Sequence, residues 1–175
     1  MHKRLTRDFY SRDVLEVTPD LLGKWLVRRF DDGTVRRYII SEAEAYRGGE
    51  DKACHASRGY TERTRVMFGE GGHVYVYLIY GMYWMFNIVT GPKGLPQASL
   101  VRAVLNIDGP GKLTRELCID RSFYGENLVT SKRLWLEDNP VKPSVRSAPR
   151  IGVDYAGEYW KNIHWRYIIE SNDHQ

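Results

Sequence analysis

The stretch HVYVYLIYGMYWMFNI, residues 73–88, packs Tyr75, Tyr77, Tyr80, Tyr83, Trp84 and Phe86 around one glycine, Gly81. Two runs of strand length, rich in aromatic and β-branched residues and parted by a glycine, admit little besides a β-hairpin. Alternation along the first run sends Tyr75, Tyr77 and Ile79 to one face and Val76, Leu78 and Tyr80 to the other. Gly81 with Met82 marks the turn, which leaves Tyr80 and Met82 at its tip. A core strand is served by Val, Ile or Leu, whereas every buried tyrosine must find a partner for its hydroxyl. Such a density of flat rings therefore has two readings, an ordinary core or a surface that stacks on something flat.

The rest of the chain supplies strands to pair with this hairpin. KWLVRRF, VRRYIISEAEAY, ASLVRAVLNI and a final HWRYIIES have strand length and composition, and Gly, Asp or Pro separates them. TPDLLGKW offers Thr18 as an N-cap, Pro19 at the first helical position and Gly23 past the end, the marks of a short helix. RGYTERTRVMF reads as a short helix capped by Thr61, and GPGKLTRELCI as a loop opening a helix with Leu113 and Leu117 four apart. Three prolines (Pro140, Pro143, Pro149) among charges make residues 134–151 a surface loop. The expected fold is α+β: one domain over residues 1–175, a mainly antiparallel curved sheet with a protruding hairpin and surrounding short helices.

Composition narrows the class further. With 42% hydrophobic and 27% charged residues the chain is neither disordered nor a membrane span, since no apolar run approaches the ~20 residues a bilayer requires. The opening MHKRLTRDFYSRD does not read as a secretory signal, so the cytoplasm is the expected compartment. Cys54 and Cys118 stand far apart, and the five histidines are dispersed, a pattern that points to no metal site. The net charge of +4 favours an anionic partner without specifying one.

Several residues are of types that do chemistry. In YIISEAEAY, Glu42, Glu44 and Tyr46 share a strand face, and closely placed carboxylates push their pKa values apart, as acid/base pairs require. Ile39, Ile40, Ala43 and Ala45 surround them, so a buried carboxylate here needs a cation, and Arg102 in SLVRAVLNI is the natural partner. An acidic sheet edge in solvent is the plainer alternative. His55 follows in EDKACHASRG, Asn87 is a polar amide within an apolar strand, and Lys112 stands at the start of a helix where a phosphate fits. The exposed apolar tip of the hairpin is either capped by the domain itself or is a wedge of the kind that enters a duplex from the minor groove. These residues leave three functions open: an enzyme acting on nucleic acid, a non-catalytic nucleic-acid-binding module, and a sugar hydrolase built on Glu42 and Glu44.

The order of the pieces favours the first of these. EAYRGGEDKACHASRG, then RTRVMF, VYVYLIYGMYWMFNIV, SLVRAV, GPGKLTRELCI and RIGVDYAGEYW resembles the alkyladenine (3-methyladenine) DNA glycosylase family, from LTRDFY through to the last strand. The resemblance implies a monofunctional DNA glycosylase of base excision repair. Such an enzyme flips alkylated or deaminated purines out of double-stranded DNA and hydrolyses the N-glycosidic bond, acting as a monomer without a cofactor. It makes Glu44 the general base, Arg102 its partner on the water, and Ile151 the donor of a main-chain carbonyl to that water. Tyr46, His55 and Tyr77 become the base pocket, and Asn87 a floor amide that disfavours the exocyclic amino group of guanine. Tyr80 would fill the gap left by the flipped nucleotide, and Lys112 would meet a phosphate. The chain departs from the family pattern at Thr64, where asparagine is expected, at Cys54, where alanine is expected, and in FGEGGH, which is short of bulky residues. These departures bear on DNA contacts and substrate range, not on the water site.

Overall fold

The long strand β2 (Val35–Arg47) organises the molecule, and the computed structural model describes residues 1–170 around it. Its first half pairs with β1 (Trp25–Arg29), and its second half lies between β5 (Gln97–Val104) and β9 (Arg166–Ile169), all antiparallel. The hairpin strands β3 (Val74–Ile79) and β4 (Tyr83–Val89) extend the sheet through β5, and β7 (Leu134–Glu137) extends it through β1. The resulting order is β3-β4-β5-β2-β1-β7. Residues 171–175, including the last residue of HWRYIIES, lie outside the described residues. Among the described residues no helix is long and apolar enough to cross a membrane.

The alternation read from the hairpin sequence divides the interior in two. Val74 and Val76 of β3, with Phe86 and Ile88 of β4, enter the main core. That core also holds Leu113 and Leu117 at the helix α3 (Pro110–Glu116), each fully buried and worth about 1.5–3 kcal/mol of transfer free energy. Tyr75 faces the other way, into a smaller cluster with Cys54, Met67 and Ala98, and Tyr46 and Tyr77 pack against its edge.

Strict alternation along β2 would put Ile40 on the same face as Glu42, Glu44 and Tyr46. The register shifts between Ile40 and Ala43, so Ile40 packs in the main core while Glu44 and Tyr46 turn to the opposite face. An extra residue in one strand re-aims the side chains beyond it, and bulges of this kind recur beside active sites.

Four sequence expectations require correction. After the single turn α1 (Arg7–Tyr10), the helix expected at Thr18 is α2 (Val14–Leu21), capped by Asp13, whose carboxylate accepts from the Leu15 N–H, so Pro19 lies inside it. Thr18 does not cap, because its hydroxyl bonds back to the Val14 carbonyl and meets Ser99 at 2.6 Å. The 134–151 segment is not one loop. It contains β7, which pairs with β1, and β8 (Val145–Ala148), which pairs with β9, and its prolines fall outside both strands, where a missing N–H costs no ladder bond. ASLVRAVLNI breaks at Asn106 (φ 71°), so β5 turns back into the short β6 (Ile107–Asp108). The helix expected after Thr61 is only a 3₁₀ turn at Arg65–Phe68. Thr61 and Thr64 instead cross-bond through their hydroxyls and main-chain N–H groups, and the Thr64 hydroxyl donates to the Gly59 carbonyl.

On the β3 side the hairpin is tied at Val74, whose N–H donates to the Glu126 carbonyl and whose carbonyl accepts from the Gly125 N–H. Its β4 strand meets α3, where the Thr114 hydroxyl donates to the Trp84 carbonyl. The helix approaches so closely that a Cβ on Gly111 would lie 2.8 Å from the Tyr83 ring, so this position requires glycine.

Candidate active site

On the sheet face opposite the main core lies a cavity of about 400 Å³. Tyr46, His55, Tyr77, Tyr80, Asn87, Arg102 and Ile151 all line it. Of the residues singled out from sequence, Glu44 lies behind this wall and Lys112 is exposed on α3, away from the cavity.

Glu44 is fully buried, and its carboxylate is almost completely engaged. Oε1 accepts from Arg102 Nη1 at 3.1 Å and from the Tyr46 hydroxyl at 3.3 Å, and Oε2 accepts from the Ile151 N–H at 2.6 Å. A carboxylate offers about four acceptor positions, so room for one more donor remains, on Oε2. Burial raises the Glu44 pKa, against the opposing pull of the Arg102 charge and the Ile151 N–H. The result is a weaker acid, and hence a stronger conjugate base, than an exposed glutamate.

Arg102 bridges two carboxylates, with Nε 3.2 Å from Glu42 Oε1 and Nη1 on Glu44. Arg166 reaches the same Glu42 oxygen at 3.2 Å. Glu42 and Glu44 thus share one wall and one guanidinium, whereas the paired carboxylates of a sugar hydrolase must flank a scissile bond. Ile151 contributes through its main-chain N–H, a contact that its sequence context did not suggest.

The aromatic wall is built from two strands and a turn. His55 Nδ1 and the Tyr75 hydroxyl share a hydrogen bond of 2.8 Å, and the His55 ring meets Tyr77 at a centroid distance of 4.5 Å. Burial, with help from the charges of Arg63 and Arg58, lowers the His55 pKa to about 4, so the wall is uncharged near neutral pH. Burial likewise pushes Tyr75 up to about 12 and raises Tyr46 and Tyr77, which keeps all three as phenols. Tyr46 and Tyr77 each carry a cation over the ring. Arg150 lies 4.9 Å from the Tyr46 centroid and Arg63 lies 5.0 Å from that of Tyr77.

Asn87 is pinned by its own amide, which donates to the Tyr75 and Met85 carbonyls at 3.2 and 3.4 Å. Cys54 also lines the cavity, and burial holds its thiol up at about 12, so it is a neutral wall atom and not a nucleophile. Among the described residues no three His, Cys, Asp or Glu side chains converge as metal ligands would.

At the rim stands the hairpin tip. Tyr80 is 87% exposed and Met82 64% exposed, and the Met82 N–H closes the turn on the Ile79 carbonyl. Tyr80 and Gly81 both have left-handed backbones, φ 51° and 66°.

Sequence reasoning missed Tyr155, whose hydroxyl donates to the Ala53 carbonyl at 2.8 Å beside the cavity, and the Arg150–Asp51 pair behind Tyr46. The only sequence signal for the pair is one more arginine beside Ile151.

Comparison with known proteins gives concordant results. The family model for methylpurine-DNA glycosylase (MPG) matches residues 8–108 and 105–173. A protein of Methanocella arvoryzae, named as a candidate 3-methyladenine DNA glycosylase, is 48% identical over 88% of this chain and 86% of its own. Proteins of the same name from Desulfitobacterium hafniense (40% identical, 98% of each chain) and Anaeromyxobacter sp. (44% identical, 97% of this chain and 90% of the other) match nearly end to end.

Proposed function

We propose, for a chain that belongs to the methylpurine-DNA glycosylase family, that Glu44 activates the water which releases a damaged purine from DNA. The chain is a DNA glycosylase, and the roles of its residues are inferred from their chemistry and placement.

An enzyme acting on a base within a duplex must first extrude it, at a cost of a few kcal/mol that is least where damage has weakened pairing. Tyr80 occupies the vacated place in the stack, and Met82 follows it as the tip enters. The extruded purine stacks against Tyr46, His55 and Tyr77. Because both amide hydrogens of Asn87 are tied to the backbone, its side chain does not swing aside for a purine carrying an extra exocyclic amino group. Lys112, exposed on the helix that packs against β4 beside the turn, is free to meet a phosphate.

In the hydrolytic step the bond from the sugar C1′ to the purine nitrogen breaks, and its electron pair departs with the base. Water oxygen bonds to C1′ as the oxocarbenium-like centre develops, and its proton passes to Glu44 Oε2. A purine alkylated on a ring nitrogen leaves without further help, being electron-poor already. The products are a free base and an abasic site. General-base assistance of this kind is typically worth about 10²–10⁴-fold, and it is greatest for a base whose pKa approaches the working pH, the direction in which Glu44 is moved.

One observation carries this reading: a fully buried carboxylate, held by Arg102, Tyr46 and Ile151, with a single acceptor position left beside a cavity walled by aromatic rings. The test is release of base from a duplex bearing one hypoxanthine or etheno-adenine, with abasic sites revealed by alkali, comparing wild type with Glu44→Gln. The expected result is that Glu44→Gln still binds the duplex but loses about 10²–10⁴-fold in release. Equal release by the two proteins would remove Glu44 from the chemistry.

A further inference from the structure

Behind the cavity, and not lining it, lies a second ion pair with no solvent contact. The side chains of Arg150 and Asp51 are both 0% exposed, and they meet as a fork, Nη1 to Oδ2 at 2.6 Å and Nη2 to Oδ1 at 2.9 Å. Burying two full charges is expensive, and well-packed apolar residues of similar volume usually serve stability as well or better. A pair of this kind calls for a reason beyond cohesion, and its contacts supply one.

Apart from the Trp160 carbonyl, which accepts from Arg150 Nη2 at 3.3 Å, the groups that hydrogen-bond to the pair lie beside groups of the site. Arg150 Nη1 also donates to the Ala45 carbonyl at 2.9 Å, on the residue between Glu44 and Tyr46. Its guanidinium lies 4.9 Å from the Tyr46 ring centroid and 5.2 Å from that of Trp165, so the Tyr46 ring has a flat cation behind it. Arg150 is the chain neighbour of Ile151, whose N–H bonds Glu44 Oε2 at 2.6 Å. Asp51, through the same two oxygens, accepts from the Arg47 and Ala53 N–H groups and so closes the turn that leads to Cys54 and His55. Three separate pieces of chain, the end of β2, the 47–55 turn and the segment after β8, are therefore locked to one fork.

We infer that Arg150 and Asp51 are positioning residues for the hydrolytic step, fixing the Ile151 main chain against Glu44 and the Tyr46 ring against the bound base. The inference rests on the glycosylase mechanism proposed for Glu44. Burial pulls the Arg150 pKa down, and the bonds to Asp51 with the nearby Glu44 charge more than offset it, so the guanidinium stays charged. The pair acts through geometry. A shift of about 1 Å in a group that orients a reacting atom costs on the order of 100-fold, without any loss of binding contacts.

The experiment uses the full chain and a duplex with one hypoxanthine, and measures duplex affinity, single-turnover base release and thermal melting together. In Asp51→Asn/Arg150→Gln both charges are removed and hydrogen-bonding groups stay, so no lone charge is left buried. Arg150→Lys keeps the charge and loses the fork. The double variant is expected to bind within about threefold of wild type and to release base about 100-fold more slowly, with Arg150→Lys in between. Release within about threefold of wild type by either folded variant overturns the inference, and so does a fall in affinity that matches the fall in rate. Should the double variant melt below the assay temperature, Arg150→Lys decides alone, by the same criterion. Glu44→Gln run alongside separates the two ideas: if it releases base like wild type, the failure lies with the glycosylase mechanism and not with the pair.

Discussion

The charged layer behind the cavity, which serves as its floor without lining it, and the tip of the hairpin are built on opposite principles. At the floor, Glu44, Arg150 and Asp51 have no exposed side-chain surface, and each charged oxygen is held by two or more partners or sits one donor short of that. At the tip, Tyr80 and Met82 stand in solvent, and a Cβ placed on Gly81 would meet nothing within 4 Å. The left-handed backbone of Tyr80 costs about 1–2 kcal/mol for a residue with a side chain, and nothing inside the protein repays it. Chemistry on a single bond demands atoms fixed in advance, whereas a wedge must be free until its partner arrives. The floor is complete within the chain, and in the role proposed for Tyr80 the tip would be completed by DNA.

The largest effect that would break this contrast is on the floor. Arg102→Ala leaves the buried Glu44 carboxylate without its guanidinium, while Glu42 keeps Arg166. Removing one partner of a buried pair typically costs about 3–5 kcal/mol, so the expected outcome is a large drop in stability as well as in base release, read by denaturant unfolding. A variant that unfolds at the wild-type midpoint would mean that the floor is as tolerant as the tip. Tyr80→Asn probes the other half. An Asn-Gly pair suits a turn with two left-handed residues, so stability should hold or rise slightly. Affinity for a duplex bearing a modified purine should fall by about 1–3 kcal/mol, the usual worth of one base–aromatic stack. Unchanged affinity, measured by fluorescence anisotropy, would remove the wedge role and leave the exposed tyrosine unexplained.

The same contrast governs what the sequence discloses. The hairpin is legible because its signals are local: alternation, a glycine and a run of rings all lie within residues 73–88. The Glu44–Arg102 contact is legible as well, because each residue is a charge set among apolar neighbours and each needs the other. The β2 bulge is not, since nothing in SEAEAY marks where one extra residue enters the ladder. Strands β7 and β8 are obscured by the prolines around them, which flag a loop although the strands themselves contain none. Thr18 fails as a cap because Asp13, farther upstream, offers a carboxylate already aimed at Leu15. Arg150 and Asp51 are 99 residues apart, and only the assembled sheet brings them face to face.

One wall of the cavity belongs to both regimes, and it yields the smallest and sharpest of these effects. Electron-rich tyrosine rings can grip a cationic alkylated purine by the attraction that holds ammonium groups over aromatic rings. Yet Tyr77 already carries the exposed Arg63 at 5.0 Å, and Arg63 lines the neighbouring groove with Arg58 and Lys52, not the cavity. A guanidinium over one face of a ring opposes a second cation over the other, so the expected bias of a purine stacked on Tyr77 is toward the neutral form. An exposed contact of this kind is worth about 0.5–1 kcal/mol, and Arg63→Ala should raise the preference for an N7-methylated, cationic purine over hypoxanthine by a few-fold. The two lesions compete in one reaction, so any general loss of DNA affinity from the missing charge cancels in the ratio. An unchanged ratio would mean that Arg63 braces Tyr77 sterically. The charge preference of the pocket would then rest with the buried cation behind Tyr46, which, unlike Arg63, no incoming phosphate can draw away.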